Sequence, residues 1–418
     1  MTDAPSPTAS APILNPDVVA APAPRVLLQP KTWRRFAQGA PWAFSNEIQM
    51  DNAARKRPPG ALARLCLPEG DPIALVQFNP HSLIAAREVT RDPAALEAGA
   101  PPADWLEARL ERAARLRDRL FDAPYYRLIH AEADGLPGLV VDRFGDLFVV
   151  QANTAGMDRL APRIDSALID LFGASAILHR FDSPSRAPEG LPQRVDLTRG
   201  DLDGPIKLAE NGCVFFADPM AGQKTGWFYD HRDNRAFAAR LAAGARVLDL
   251  YGYAGGFAIP AAKAGAERVV TVDRSAEALA LAARAAEANG VADRVETEQA
   301  DVFQSLERRI AAGERFDLVI ADPPAFVKAR KDLKQGARAY RKLARLAAST
   351  VADGGALLLA SCSHLVGEEV FLEECRRGLM EAGRTARILR RAGAGPDHPL
   401  HPHLPESGYL KALVFALD

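Results

Sequence analysis

Two short motifs in the last third of the chain place a carboxylate and a thiol directly after apolar runs. Asp322-Pro323-Pro324-Ala325-Phe326 follows the run 316–321, and Ser361-Cys362-Ser363-His364 follows the run 355–360. Each run predicts a buried strand, and ligands of an open parallel sheet bind beyond the carboxyl ends of its strands. We therefore expect Asp322 and Cys362 to face one pocket, in a combination suited to attack on a pyrimidine ring.

The chemistry of cytosine explains why both groups are needed. Carbon 5 is a poor nucleophile, but addition of a thiolate at carbon 6 makes the ring enamine-like, so that it can take a methyl group from a sulfonium. Cys362 is the candidate thiolate, and Asp322 is the candidate partner for the N3 and amino edge of the ring. A base must then remove the proton from carbon 5, and the sequence does not identify this base.

A nucleoside-binding pattern precedes both motifs. The apolar run 246–250 leads into a glycine-rich turn, and glycine permits a tight turn and close approach to a ligand. The strand 269–272 ends in an acid at a spacing suited to ribose hydroxyls, and the strand around 295–298 leads to an acid on the adenine side. The candidate cofactor-binding residues here are Asp249, Tyr251, Gly252, Tyr253, Ala254, Gly255, Asp273, Asp301 and Asp322.

Further motifs form an ordered series from about Arg25 to the C-terminus. They are Gly39–Ser45, Asn79–Ser82, Glu132–Asp142, Gly222–Gly226, Asp230–Asp233, the Asp-Pro-Pro and Ser-Cys-Ser motifs, and Gly395–Pro399. With this series the chain resembles the RlmI-like class I S-adenosylmethionine-dependent methyltransferases, which make 5-methylcytosine in large-subunit ribosomal RNA. The resemblance implies S-adenosylmethionine as the cofactor, and 23S ribosomal RNA or a large-subunit assembly intermediate as the partner.

The resemblance also implies a multidomain α/β fold. An N-terminal PUA-like β-barrel would be followed by a mixed α/β middle domain and a C-terminal Rossmann-like class I methyltransferase domain. The 418 residues agree with two or three domains. The expected boundaries are a disordered Ala/Pro-rich tail at 1–24, the PUA-like RNA-binding domain at 25–100, the middle domain at 101–205 and the methyltransferase domain at 206–418.

The resemblance extends the cofactor site to the stretch 222–235. It implies that Lys224, Thr225 and Arg232 lie against the cofactor, with Arg232 paired to the methionine carboxylate. The alternative is an ordinary β-hairpin turn and helix start.

Two groups of residues are candidate RNA contacts. In the PUA-like domain they are Lys31, Arg34, Arg35 and Trp42, with a solvated basic helix beside a core tryptophan as the alternative. The run 328–345 carries eight cations and one acid. Its cations either neutralise RNA phosphates or only form a solvent-exposed helix face. The candidates in that run are Lys328, Arg330, Lys331 and Lys334.

Composition and charge limit the other classes of function. A net charge of −1 provides no general attraction for nucleic acid, so RNA binding would depend on local patches. The sequence shows neither a signal peptide nor a run of eighteen apolar residues, so we expect a cytoplasmic protein without a membrane span. The four cysteines lack Cys-x-x-Cys spacing, and no metal site is expected. The oligomeric state stays open, and a homodimer is one form that the sequence permits.

Three alternatives to cytosine-5 methylation also stay open. The first is methylation of another RNA base or of an exocyclic nitrogen, although Ala325 stands where amino-directed enzymes typically carry an aromatic residue. The second is a catalytically silent RNA-binding protein. The third is a nicotinamide-dependent dehydrogenase, which the Gly-x-x-Gly-Gly turn disfavours because such enzymes use Gly-x-Gly-x-x-Gly.

Overall fold

The computed structural model describes residues 22–327 and 329–418. Most of the tail expected at 1–24, and the candidate RNA contact Lys328, lie outside the described residues. Within the described ranges, no helix is both long enough and apolar enough to cross a membrane.

The N-terminal part is a five-stranded sheet. Its elements are β1 (Arg25–Leu27), α1 (Arg34–Ala37), β2 (Trp42–Phe44), α2 (Asn52–Arg55), β3 (Ala61–Cys66), β4 (Pro72–Phe78), β5 (Ile84–Thr90) and α3 (Pro93–Ala98). The strand order is β1-β3-β4-β5-β2, with β1 and β3 parallel and the other neighbours antiparallel. An antiparallel bridge between Leu28 and Ile48 brings the two edges together, as closure into a barrel requires.

The middle part is a second five-stranded sheet with helices. Its elements are α4 (Trp105–Asp118), β6 (Tyr125–His130), β7 (Leu139–Phe144), β8 (Leu147–Ala152), α5 (Ala155–Arg159), α6 (Ala161–Phe172), β9 (Ala176–Phe181) and β10 (Arg194–Arg199). The order is β10-β9-β8-β7-β6, in which only β8 and β9 are parallel. Leu106 and Leu110 of α4 are buried in the core of this sheet, as their helical spacing predicts.

The C-terminal part contains a hairpin and a seven-stranded sheet. The hairpin is β11 (Ile206–Glu210) and β12 (Cys213–Ala217), followed by α7 (Arg232–Ala239). The remaining elements are β13 (Arg246–Leu250), α8 (Ala258–Lys263), β14 (Arg268–Asp273), α9 (Ala276–Ala288), β15 (Val295–Gln299), α10 (Val302–Ala311), β16 (Phe316–Ala321), α11 (Leu333–Ala348), β17 (Val351–Ser361), α12 (Glu368–Glu381), β18 (Ala386–Ala392) and β19 (Lys411–Leu417).

The seven strands run in the order β15-β14-β13-β16-β17-β19-β18. Strands β13 to β17 are parallel, and β19 enters antiparallel between β17 and β18, as expected for the closing strand. The apolar runs of β13 and β16 are buried, as strands covered by helices on both faces require. The strand order reverses between β13 and β16, and this switch point is where an open α/β sheet binds its ligands.

The middle and C-terminal parts share one hydrophobic core. Phe144 and Leu178 of the middle sheet belong to the same buried cluster as Trp227 and Val247 of the C-terminal part. This arrangement places the loop 218–231 between the two sheets. The architecture confirms the expected multidomain α/β fold.

Candidate active site

Asp322 and Cys362 lie together at the carboxyl edge of the seven-stranded sheet. Asp322 directly follows β16, and Cys362 directly follows the neighbouring β17. The Cys362 thiol donates to the carbonyl oxygen of Pro323 across 3.9 Å, so the two motifs are in contact. Sequence reasoning predicted this juxtaposition, because adjacent parallel strands end at the same edge.

The serines on either side of Cys362 hold its loop in place. The Tyr340 hydroxyl of α11 lies 2.8 Å from the Oγ atoms of both Ser361 and Ser363. Both serines and Tyr340 are buried, so their hydroxyl groups have to find partners inside the protein. The Ser-Cys-Ser sequence therefore fixes the backbone on both sides of the thiol.

The environment of the Cys362 thiol contains opposing charges. Burial, together with the Asp322 carboxylate, raises the pKa of Cys362 to about 11 against the lowering effect of the Lys224 ammonium. The Nζ atom of Lys224 lies 4.9 Å from the centre of the Phe228 ring and 5.9 Å from that of Tyr409. Because a thiolate is the reactive form of cysteine, Lys224 is the group that can stabilise it here.

His231 is a neighbour of Asp322 that sequence reasoning missed. Its Nε2 lies 3.2 Å from Oδ2 of Asp322, and its Nδ1 lies 3.2 Å from the side-chain nitrogen of Asn234. An amide that donates to Nδ1 leaves the ring proton on Nε2, from which it is donated to Asp322. Burial lowers the pKa of His231, but the carboxylates of Asp322 and Asp230 outweigh burial and raise it.

Asp230 adds a second buried carboxylate beside this pair. Its Oδ2 accepts a hydrogen bond of 2.6 Å from the Tyr409 hydroxyl, and its buried Oδ1 has no partner within the described parts of the chain. Burial raises the pKa of Asp230, but His231, His398 and Lys224 together hold it well below its usual range. Asp230 is therefore held as a carboxylate by the positive groups around it.

The glycine-rich turn after β13 contains two left-handed residues and one position without room for a side chain. Tyr251 and Tyr253 adopt left-handed φ angles of 62° and 49°. A Cβ atom on Gly252 would lie 1.9 Å from the Thr271 hydroxyl oxygen, so only glycine fits there. The Tyr253 amide donates to Oδ2 of Asp273 across 3.0 Å, which ties the turn to the end of β14.

Acidic side chains lie within, at the end of, or after three neighbouring strands in the order predicted. Asp249 in β13 is buried, and burial together with the Asp322 carboxylate raises its pKa to about 7 against the opposing effect of the Thr271 hydroxyl. Asp273 ends β14, and Asp301 after β15 caps α10 through the Gln304 amide at 3.1 Å and pairs with Arg274. A tight turn flanked by carboxylates is a donor and acceptor set that fits a nucleoside.

Thr225 and Arg232 both contact the middle sheet. The Thr225 hydroxyl donates to Asp142 in β7 across 2.6 Å, and the Arg232 guanidinium donates to the Tyr125 carbonyl and covers the Phe121 ring. Both side chains are buried and join the C-terminal part to the middle sheet. One guanidinium nitrogen of Arg232 is thus engaged with the middle sheet, whereas its Nε lies 3.8 Å from Oε2 of Glu210 in β11, and pairing with a methionine carboxylate stays a prediction.

The N-terminal candidates for RNA contact divide into two kinds. Lys31 and Arg34 are exposed. Arg35 pairs with Glu47 at 2.8 Å, and the Trp42 indole donates to Glu132 across 2.7 Å. The second pair is thus engaged within the protein, whereas the first pair faces solvent.

The cations between the Asp-Pro-Pro and Ser-Cys-Ser motifs also fall into two groups. Arg330, Lys331, Lys334 and Arg338 are exposed, and the described residues contain no ion-pair partner for them. The later cations of α11 are paired: Arg341 with Glu374, Lys342 with Glu307 and Arg345 with Glu381. Only the N-terminal half of the run therefore retains charge for an external anion.

Comparisons with known proteins identify the family. Residues 194–416 match the family described as S-adenosylmethionine-dependent methyltransferase, and residues 26–91 match a PUA-like domain. Ribosomal RNA large subunit methyltransferase I of Shewanella denitrificans is 35% identical over 395 residues, which cover 93% of this chain and 98% of that protein. The chain belongs to the ribosomal RNA large subunit methyltransferase I family. The family resemblance inferred from the motif series is thus confirmed, and the cofactor is S-adenosylmethionine.

Other comparisons agree with this assignment to the methyltransferase I family. The Aeromonas hydrophila protein of the same name is 36% identical over 382 residues, covering 90% of this chain and 94% of that protein. SMU.776, described as a methyltransferase and solved in complex with SAH, has a TM-score of 0.79 at 17% identity, covering 94% of this chain and all of that chain. A Streptococcus mutans structure has a TM-score of 0.77 at 17% identity, with coverages of 94% and 100%. At this identity the solved structures show the shared fold.

Proposed function

We propose that this protein transfers a methyl group from S-adenosylmethionine to carbon 5 of a cytosine in 23S ribosomal RNA, through a covalent Cys362 adduct. The observation that carries the proposal is the contact between the Cys362 loop and the Asp-Pro-Pro motif at the switch point of the sheet. The names of the relatives support large-subunit ribosomal RNA as the substrate. A ribosomal substrate would also agree with the cytoplasmic location expected from the sequence.

In the proposed reaction Cys362 acts as the nucleophile and Asp322 orients the ring. The Cys362 thiolate forms a bond to carbon 6, and the electron pair of the 5,6 double bond becomes available at carbon 5. S-adenosylmethionine, when bound, supplies the methyl group as a sulfonium. After transfer, a base removes the proton from carbon 5, the double bond re-forms, and the electrons of the carbon–sulfur bond return to Cys362.

Asp322 and its neighbours would stabilise charge during this sequence. Asp322 contacts the His231 imidazole, and the carbonyl of the next residue, Pro323, contacts the Cys362 thiol. His231 would therefore orient the Asp322 carboxyl group toward the pyrimidine edge. Lys224 stabilises the thiolate of Cys362 before attack and after release. His231 is a positioning residue in this proposal, since it acts through Asp322.

The cofactor would occupy the turn after β13. The proposed contacts are the backbone of 251–255, Asp249 below the turn, Asp273 at the ribose and Asp301 at the adenine side. The acids of β14 and β15 support this placement because they follow adjacent strands at the same edge. Thr225 is left out of this set, since its hydroxyl is committed to Asp142.

RNA would approach over the exposed cations near this edge. The proposed phosphate contacts are Arg330, Lys331 and Lys334 at the start of α11, with Lys31 and Arg34 in the PUA-like domain. Phosphate contacts set register and orientation, whereas base recognition depends on the pocket that receives the extruded cytosine.

Nucleoside mass spectrometry tests the proposal directly. Unmodified ribosomal RNA is incubated with methyl-labelled S-adenosylmethionine and the wild-type protein, Cys362→Ala or Cys375→Ala. The control is matched because Cys375 is also unpaired but is buried within α12. We expect labelled 5-methylcytosine with the wild type and Cys375→Ala, and none with Cys362→Ala. Label on another base, or label that persists in Cys362→Ala, would contradict the thiolate mechanism, and no label on any RNA would favour a silent RNA-binding protein.

A further inference from the structure

A cavity of about 140 Å³ adjoins the candidate active site and has no role in the reaction described above. Strand β6 contributes His130 to its wall, and the segment before β19 contributes the rest, including His398, Leu400, Gly408 and Tyr409. The His130 and His398 rings lie 5.0 Å apart, and Nδ1 of His398 is 2.9 Å from Asp397. The lining residues are thus two histidines, one tyrosine and one serine, together with leucine, alanine and glycine.

Tyr409 connects this cavity to the residues around Cys362. Its hydroxyl donates to Asp230, and its ring centre lies 5.1 Å from that of His364. The Lys411 ammonium donates both to the Tyr409 carbonyl, at 2.8 Å, and to the Ser363 carbonyl, at 2.6 Å. The cavity wall is therefore joined through one lysine to the residue that follows Cys362.

We propose that this cavity binds an unstacked base of the RNA strand next to the target cytosine. The inference rests on the proposed function and adds a second nucleotide-binding subsite to it. Enzymes that act on an extruded base commonly set their sequence context through contacts to flanking nucleotides.

The size and the walls of the cavity support this occupant. An apolar protein cavity of roughly 150 Å³ accepts benzene, so a volume of about 140 Å³ is large enough for a six-membered pyrimidine ring. Unstacked RNA bases stack on aromatic and histidine side chains and form hydrogen bonds along their exposed edges. His130 suits this role, because burial together with the charge of Arg127 holds its pKa well below the usual range and keeps the ring neutral.

Position also favours an RNA base over an unrelated small molecule. An extruded cytosine at Cys362 brings the flanking nucleotides of its strand to the same edge of the protein. The segment 393–410 lines the cavity, and its last residues continue into β19, which pairs with the Cys362-bearing strand β17. A flanking base would therefore reach the cavity while the target cytosine occupies the active site.

The test compares two tryptophan substitutions that differ in place but not in chemistry. Leu400→Trp reduces the cavity from its exposed rim, where the leucine is 53% exposed, and Leu389→Trp makes the same change at a 49% exposed position on β18. Ala394→Leu fills the cavity from another wall and serves as a second variant. Substrates are short single-stranded RNAs centred on the cytosine that the wild-type protein methylates, with an abasic site placed in turn at each flanking position.

For the wild type, we expect one flanking abasic site to raise KM about tenfold, which is the scale of one lost stacking contact. Leu400→Trp should raise KM for the intact RNA by a similar factor and should be insensitive to that abasic site. Leu389→Trp should behave as the wild type. Unchanged melting temperatures of the variants would show that folding is intact.

Two kinds of failure can be told apart. If the wild type forms 5-methylcytosine but KM responds neither to abasic sites nor to Leu400→Trp and Ala394→Leu, the subsite is wrong and the proposed function stands. Equal losses in Leu400→Trp and Leu389→Trp would also overturn the subsite. If the wild type forms no 5-methylcytosine, the proposed function fails, and the subsite fails with it.

Discussion

His231 and Asp322 lie 3.2 Å apart, from Nε2 to Oδ2, although they belong to different motifs. His231 is buried in the segment before α7, and Asp322 directly follows the strand β16. The pair ties the Asp-Pro-Pro motif to the stretch 222–235 and gives the carboxyl group of Asp322 a fixed donor. This relationship makes stability sensitive to pH.

His231→Gln should remove a contribution to stability that depends on pH. Asp322 and Asp230 raise the pKa of His231 above its usual value against the effect of burial. The contribution is fully present below the ordinary pKa of about 6.5 and is lost as pH rises through the raised folded-state value. The wild type should therefore melt above His231→Gln at low pH, with the difference shrinking as the solution becomes alkaline. Thermal melts from acidic to alkaline pH test this prediction, with His81→Gln at an exposed position as the control. A difference in melting temperature between wild type and His231→Gln that grows with pH would refute it.

Lys224→Met should make the Cys362 thiol less reactive. The Lys224 ammonium lowers the pKa of Cys362, whereas burial and Asp322 raise it. Loss of Lys224 should therefore slow alkylation by iodoacetamide about two- to tenfold at fixed pH, and Asp322→Asn should accelerate it. Peptide mass spectrometry measures the rate at Cys362, with exposed Lys331→Met as the matched control. Equal rates in Lys224→Met and Lys331→Met would exclude a role for Lys224 at the thiol.

Lys334→Ala and Lys342→Ala should differ in their effects on RNA binding. Lys334 is exposed without a described ion-pair partner, whereas Lys342 pairs with Glu307 at 3.1 Å. For single-stranded RNA each neutralised phosphate adds about 0.7 to the slope of log affinity against log salt. We expect Lys334→Ala to lower the slope by about this amount and Lys342→Ala to leave it unchanged. Binding titrations at several salt concentrations test the difference. Equal slopes for both variants would show that Lys334 lies on a solvent-exposed face of α11 and does not contact an RNA phosphate.

Thr225→Val should weaken folding without weakening cofactor binding. The substitution removes the buried hydrogen bond from Thr225 to Oδ2 of Asp142, which then keeps only the hydrogen bond from Arg127. A loss of about 1–3 kcal/mol in the free energy of unfolding is expected for such a change. Urea denaturation measures the loss, and calorimetry should give an unchanged Kd for S-adenosylmethionine. A weaker Kd at unchanged stability would restore Thr225 to the cofactor site.

Gly252→Ala should damage the cofactor turn. Its new Cβ would lie 1.9 Å from the Thr271 oxygen and 2.9 Å from Oδ2 of Asp249, so the turn would have to move. Gly367→Ala is the matched control, because nothing lies within 4 Å of the added Cβ there. We expect at least about a tenfold weaker Kd for S-adenosylmethionine in Gly252→Ala, equivalent to about 1.4 kcal/mol, and no change in Gly367→Ala. Equal affinities would contradict placement of the cofactor at this turn.

The local pattern of the sequence determined the strands, the ends of those strands and the residues placed there. Asp249, Asp273, Asp322 and Cys362 could be located because apolar runs define buried strands, and the ends of parallel strands share one edge. The family followed from the order of the motifs along the chain, which needs no coordinates. Both kinds of information are contained in short segments and in the order of those segments along the chain.

Only the tertiary structure decided which side chains meet across long separations. Thr225 and Arg232 belong to a motif that resembles a cofactor contact, yet packing against the middle sheet commits their donors to Asp142 and the Tyr125 carbonyl. The same packing brings His231 to Asp322 and Lys224 near Cys362. The structure likewise shows which cations of α11 form ion pairs with Glu307, Glu374 and Glu381 and which have no partner among the described residues. The physical reason is that burial and ion pairing depend on partners distant in the chain, and no local spacing encodes them.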